Sequence, residues 1–170
     1  IRVGYRGYES GTLVMDSMFE TNMSGAIAAG IKVGAYIVTQ AVNTSEAVEE
    51  ASFIVQACSK YSISLPLVID VETAGGGSGR GDKISASTRT AVINAYSQAV
   101  RNAGYTPMLY ASKSWLEGRI NTGSVYSSCK IWIARYNDTL GYSGRYNMWQ
   151  FRSDGGVDGI NGCVDISAWV

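Results

Sequence analysis

Two carboxylates close an otherwise apolar run in Pro66-Leu67-Val68-Ile69-Asp70-Val71-Glu72, and this segment is the part of the sequence most able to do chemistry. Residues two apart on an extended strand share a face and lie about 6.5 to 7 Å apart, so Asp70 and Glu72 are expected to look into one place. Acids held close beside apolar neighbours do not both ionise easily, and one keeps its proton to higher pH than a free carboxyl does. A general acid needs that property. The competing reading makes Asp70 a cap for the following loop and Glu72 a solvated side chain. A third acid, Asp165, sits between Val164 and Ile166 on the last strand-like segment. It joins the pair if that strand belongs to the same sheet, and a structural role is equally open.

The rest of the composition narrows the chemistry. Histidine is absent, which removes Ser-His-Asp and Cys-His catalysis and His-ligated zinc together. Carboxylates must then carry any proton transfer. Cys58, Cys129 and Cys163 show no close paired spacing, so a zinc knot or redox pair is not expected, and they read as buried thiols rather than a disulfide. Lys plus Arg equals Asp plus Glu at 14 each, leaving no positive field to gather phosphates; nucleic acid is not an expected partner. Nor is a membrane, since no apolar run approaches the roughly 20 residues of a spanning helix. Only 16% of residues are charged, against 11 Tyr and 4 Trp, a balance suited to neutral rings that stack on aromatic faces. Trp132, Ala134 and Tyr136 alternate on one strand face, and Tyr36, Tyr110 and Gln150 stand at comparable strand positions. Together they suit the wall of a glycan groove, although each alone reads more readily as core.

These residues need a scaffold, and the pattern predicts one. Strands are expected over residues 1–5, 31–38, 67–71 and 108–111, the last two entered through Pro66 and Pro107, where a missing N–H is tolerated. Helices are expected between them. One starts at the capping box Ser17-Met18-Phe19-Glu20 and stops at Gly30. A second covers 44–61, with Val48, Ala51, Ile54, Val55 and Cys58 on its apolar stripe. A third covers 85–103 and ends at Gly104. Alternating β and α elements with fully apolar strands predict a parallel sheet with right-handed crossovers. Beyond Tyr110 a short helical piece at 114–118 precedes strands at 130–135, 147–151 and 163–169, so the expected barrel is irregular at that end. The glycine-rich stretch 74–81 fails as a phosphate loop because Asp82 stands where the lysine belongs; it is expected to be a mobile loop beside the site. No internal repeat or linker divides residues 1–170, which read as one domain.

Taken in order, Ile1-Arg2-Val3-Gly4-Tyr5, Phe19-Glu20-Thr21-Asn22, Gly30-Ile31-Lys32-Val33-Gly34-Ala35-Tyr36, the Pro66 to Glu72 strand, Leu109-Tyr110-Ala111-Ser112, Ile131-Trp132-Ile133-Ala134-Arg135-Tyr136, Trp149-Gln150-Phe151 and Val164-Asp165-Ile166 make the chain resemble the glycoside hydrolase family 25 muramidases along its whole length. The resemblance implies an α/β fold, an irregular TIM-like (β/α)5(β)3 barrel, that cleaves the β-1,4 bond between N-acetylmuramic acid and N-acetylglucosamine in peptidoglycan. It implies Glu72 as general acid, with Asp70 and Asp165 completing an acidic cluster. It also implies net retention, through the substrate's acetamido group or with carboxylate help. Tyr36, Tyr110, Trp132, Tyr136, Gln150 and Arg2 are the expected substrate-binding residues. No metal or other cofactor is expected, the partner is the peptidoglycan glycan strand, and the protein is expected to act as a monomer outside the cell or in the wall.

The departure from the family is at the front, where its first strand and helix, with an aspartate of the acidic cluster, have no counterpart. Roughly 30 to 40 further residues are expected upstream, because a barrel without that strand leaves two unpaired edges. If the aspartate is absent, a catalytically inactive barrel that binds cell-wall glycan becomes the alternative. A family 18 chitinase, whose strand also ends in Asp-x-Glu, is disfavoured because Val68 and Leu65 stand where it needs further aspartates. A metabolic enzyme acting on a phosphorylated substrate is disfavoured by the missing phosphate loop.

Overall fold

The computed structural model of the chain describes residues 1–125 and 127–170. Its strands are β1 (Arg2–Arg6), β2 (Leu13–Met15), β3 (Ala35–Val38), β4 (Leu67–Val71), β5 (Pro107–Ser112), β6 (Lys130–Ala134), β7 (Met148–Gly155) and β8 (Val164–Trp169). They form one eight-stranded sheet in the order β2-β1-β3-β4-β5-β6-β7-β8. From β1 to β7 the neighbours run parallel, while β1 with β2 and β7 with β8 are antiparallel. Among the described residues no ladder joins β2 to β8, so the expected irregular α/β barrel is present as an open one.

Helices α1 (Phe19–Ala28), α2 (Thr44–Cys58) and α3 (Ala86–Asn102) are the crossovers, with shorter α4 (Lys113–Gly118) and α5 (Thr122–Val125) after β5. All five residues of β4 are buried, as a strand covered on both faces must be. Its Ile69 packs in one core with Ile37, Leu109 and Ile133 from its neighbours and Ile54, Ile93 and Tyr96 from the helices. Side chains start three of the helices: Asn43 accepts from Glu46 N–H, Ser85 from Thr88 N–H and Ser112 from Trp115 N–H, each cap contributing about 1 kcal/mol.

Several expectations are corrected. The Ser17 capping box does not form; α1 starts after Met18 with no side-chain cap, because Asp16 Oδ1 accepts the Met18 N–H at 2.9 Å and turns the chain first. The strand expected over 31–38 is confined to Ala35–Val38. Val33 instead bonds the segment before β4, donating to Ser64 Oγ and accepting from Ser64 and Leu65 N–H, and a Cβ on Gly34 would lie 2.7 Å from Pro66 O. Val48 faces outward on α2. β2 is an element the sequence pattern did not announce. It pairs with β1 in the register Gly4↔Met15, an approach that only glycine permits, since a Cβ at Gly4 would fall 2.1 Å from Val14 O. The three cysteines are free, but only Cys58 is buried and Cys163 is exposed.

The glycine-rich segment is tied down rather than loose. It forms two 3-10 turns, Gly75–Gly77 and Arg80–Lys83. Asp82 Oδ2 accepts the Ala74 N–H at 3.1 Å, Gln40 Oε1 accepts the Gly81 N–H at 2.8 Å, and Arg80 grips Glu46 through both terminal nitrogens at 2.9 and 2.8 Å. Paired side chains supply what the glycines lack in packing. Among the described residues no helix is long and apolar enough to cross a membrane.

Candidate active site

Strand alternation and register build the site. Asp70 stands opposite Tyr110, Tyr110 opposite Trp132 and Trp132 opposite Met148 on successive strands. These side chains therefore form one row on the inner face of the sheet. Period two adds Val68 and Glu72 from the β4 segment, Tyr136 beyond β6, Gln150 from β7, and Asp165 with Ser167 from β8. Together with Tyr36 of β3 they line a cavity of about 440 Å³, a volume ordinary for a ligand pocket.

The two acids of β4 and the acid of β8 thus share one chamber. Asp70 lies at its floor, 7% exposed, and its Oδ1 has no hydrogen-bond partner among the described residues. Burial, and then the neighbouring Glu72, push the Asp70 carboxyl well above the ordinary carboxylate range. Glu72 stands one residue beyond β4, exposed at the rim. Partial burial, and then Asp165, raise its pKa too. Among the described residues no lysine or arginine lines the cavity, so no lining cation relieves the crowding. Tyr36, across the cavity, is also raised, by burial and then by Asp70.

The opposite wall is held by hydrogen bonds. Tyr110 Oη and Tyr136 Oη both donate to Gln150 Oε1, at 2.7 and 2.9 Å, so one buried amide sets two phenols. Tyr110 and Trp132 meet edge to face with centroids 4.8 Å apart, and Trp132 Nε1 donates to Ser167 Oγ at 3.2 Å. Rings fixed in this way present flat apolar faces beside a few polar atoms, the surface a sugar ring requires. A carboxyl that retains its proton can protonate a leaving oxygen, and ionised neighbours can stabilise positive charge developing beside it.

Of the residues singled out from sequence, Asp70, Glu72, Asp165, Tyr36, Tyr110, Trp132, Tyr136 and Gln150 come together here. Arg2 does not line the cavity; its Nε is bound to Asp16 Oδ2 at 2.7 Å. Val68, Met148 and Ser167 were not anticipated. Each lies two residues from one that was, so the alternation that found Asp70 and Gln150 carried the signal for them as well. Among the described residues no group of three or more His, Cys, Asp or Glu could hold a metal ion.

Known proteins share this fold and parts of this sequence. Residues 7–160 match the family model described as "Glycosyl hydrolases family 25". The chain is 30% identical over 136 residues to a lysozyme of Lactococcus phage mv1, covering 75% of this chain and 62% of that protein. It is 26% identical over 167 residues to an autolytic lysozyme of Clostridium acetobutylicum, covering 98% of this chain and 48% of the relative. The modular autolysin LytC of Streptococcus pneumoniae superposes with a TM-score of 0.82 at 28% identity, over 99% of this chain and 39% of its own; that autolysin has also been crystallised with a synthetic peptidoglycan ligand. The chain spans only part of each of these proteins. With a match along nearly its whole length, the chain belongs to glycosyl hydrolase family 25.

Proposed function

We propose that this chain is the catalytic barrel of a peptidoglycan hydrolase that cleaves the β-1,4 bond between N-acetylmuramic acid and N-acetylglucosamine. The observation that carries the reading is the meeting of Asp70, Glu72 and Asp165 in one aromatic-walled cavity without a cation among its lining residues. Family membership and lysozyme-named relatives support the same reaction.

In this reading Glu72 is the general acid. Its raised pKa keeps the proton available, and its place at the rim lets it reach the glycosidic oxygen. Asp70, buried and held protonated, donates a hydrogen bond to the sugar at the floor, and Asp165 stabilises the positive charge that develops on the ring. The reaction proceeds with net retention, the substrate's own acetamido group being the natural internal nucleophile. Tyr36, Tyr110, Trp132, Tyr136 and Gln150 hold the glycan. The protein acts as a monomer on the cell wall from outside the cell.

Clearing of a peptidoglycan suspension, followed by mass analysis of the released fragments, tests the reaction. Loss of turbidity with new reducing ends on N-acetylmuramic acid is expected. Binding to the wall without clearing would instead identify an inactive glycan-binding barrel.

A further inference from the structure

A second groove adjoins the cavity. Trp149 and Phe151 flank Gln150 on β7 and so lie on the opposite face of that strand, their ring centroids 5.7 Å apart. With Tyr136, Asp138, Arg152 and Asp154 they line a groove of about 560 Å³. Tyr136 belongs to both walls. Its hydroxyl is anchored on Gln150 inside the cavity, while the residue as a whole is 53% exposed. The two spaces therefore meet at one tyrosine. Trp149 is fixed by its Nε1 donating to Arg135 O at 2.9 Å, which gives the groove a rigid base.

The chemistry of the two spaces differs. The cavity has acids and one amide but no cation among its lining residues; the groove carries charges of both signs. Arg152 and Asp154 stand 3.8 Å apart with side chains 57% and 73% exposed. A long, solvated pair of this kind holds its partners weakly, so each is free to turn to a ligand. A neutral sugar ring does not call for charges of both signs. A short peptide bearing a carboxylate and an ammonium does, and an aromatic base suits its aliphatic stems.

We propose that the groove beside the β7–β8 hairpin binds the charged peptide that a peptidoglycan strand carries on the sugar held in the cavity, Arg152 taking its carboxylate and Asp154 or Asp138 its ammonium. The inference rests on the peptidoglycan reading above, since such a strand presents sugar and peptide to adjoining sites. It makes the enzyme a reader of peptide substitution as well as of glycan.

The test compares intact strands with strands whose peptides have been removed by an amidase, scored by release of reducing ends. It is paired with direct titration of the synthetic peptide Ala-γ-Glu-Lys-Ala against the uncleaved protein by NMR. Arg152→Ala is expected to raise KM on intact strands about fivefold with kcat unchanged, the signature of lost uniform binding. On stripped strands the parent protein and the variant should be alike. The peptide should shift resonances of Trp149 and Phe151 in the parent protein and shift them less in Arg152→Ala. Equal KM changes on both substrates would mean that the groove takes sugar, and would overturn the proposal, as would a peptide that leaves the groove resonances unmoved. If neither strand is cleaved yet the peptide still binds in an Arg152-dependent way, the groove assignment stands and the hydrolase reading falls.

Discussion

Around Arg6 and Arg80 the sheltered charges face opposite ones, while around Asp70, Glu72 and Asp165, among the described residues, no ion pair forms. In the first group Arg6, 4% exposed, donates from Nε to the fully buried Glu50 at 2.8 Å and from Nη2 to Glu49 at 3.1 Å, and Arg80 holds Glu46 with both terminal nitrogens. These pairs join β1 and the glycine-rich turns to α2. In the second group three acids share a chamber, where burial and then Glu72 raise the pKa of Asp70, and burial and then Asp165 raise that of Glu72. Sheltering charge is costly unless the charge is matched. The matched group fastens elements together; the unmatched one, in the function proposed above, stores a proton where a ligand can reach it.

Substitutions can break or sharpen that contrast. Glu72→Gln keeps the shape but cannot donate a proton, so kcat should fall roughly a thousandfold with Tm and glycan binding nearly unchanged; substantial lysis by the purified variant would remove Glu72 from its role. Glu50→Ala should act in the opposite sense, costing about 3 kcal/mol of stability because Arg6 loses its buried partner, measured by denaturant unfolding. Asp165→Asn should lower kcat roughly tenfold. It should also move the high-pH limb of the rate profile to lower pH, since Asp165 helps to raise the pKa of Glu72 and activity is lost as that proton leaves. A limb that does not move would disconnect the two acids.

Asp70→Asn should stabilise the protein at neutral pH. The folded state binds the Asp70 proton more tightly than the unfolded chain does. Its contribution to stability is therefore full below the ordinary carboxylate pKa and is lost as pH rises through the raised, folded value. The gain in Tm should be several degrees near neutrality and should vanish in acid, whereas a loss at neutral pH would mean that an unseen partner holds the ionised form. The smallest effect belongs to the exposed Lys60–Glu20 pair: Lys60→Ala should leave Tm within experimental error.

Much of the fold was legible because its signals are local. Pro66 and Pro107 marked two strand starts, and the continuous apolar run of β4 announced a strand buried on both faces, with Asp70 and Glu72 on one side of it. Alternation likewise put Trp132 with Tyr136. The misses came where a partner remote in sequence decides. β2 exists because Gly4 admits Val14 O at close range, and residues 31–34 leave the strand because Val33 is bonded to the segment before β4. Asp16 pre-empted the capping box, and Arg2, read as facing the glycan, is taken by the same Asp16. Pairings of this kind leave no periodic trace.

What the sequence determined by itself was the type of chemistry: no histidine, two acids in phase on one apolar strand, and aromatic residues at matching strand positions. Only the tertiary structure decided that Asp165, far along the chain from Glu72, faces the same cavity, that Gln150 sets both Tyr110 and Tyr136, and that Tyr136 opens onto a second groove. Periodicity specifies which face of its own strand a side chain occupies, but strand order and register specify what stands across from it, and those are set by the packing of the whole sheet.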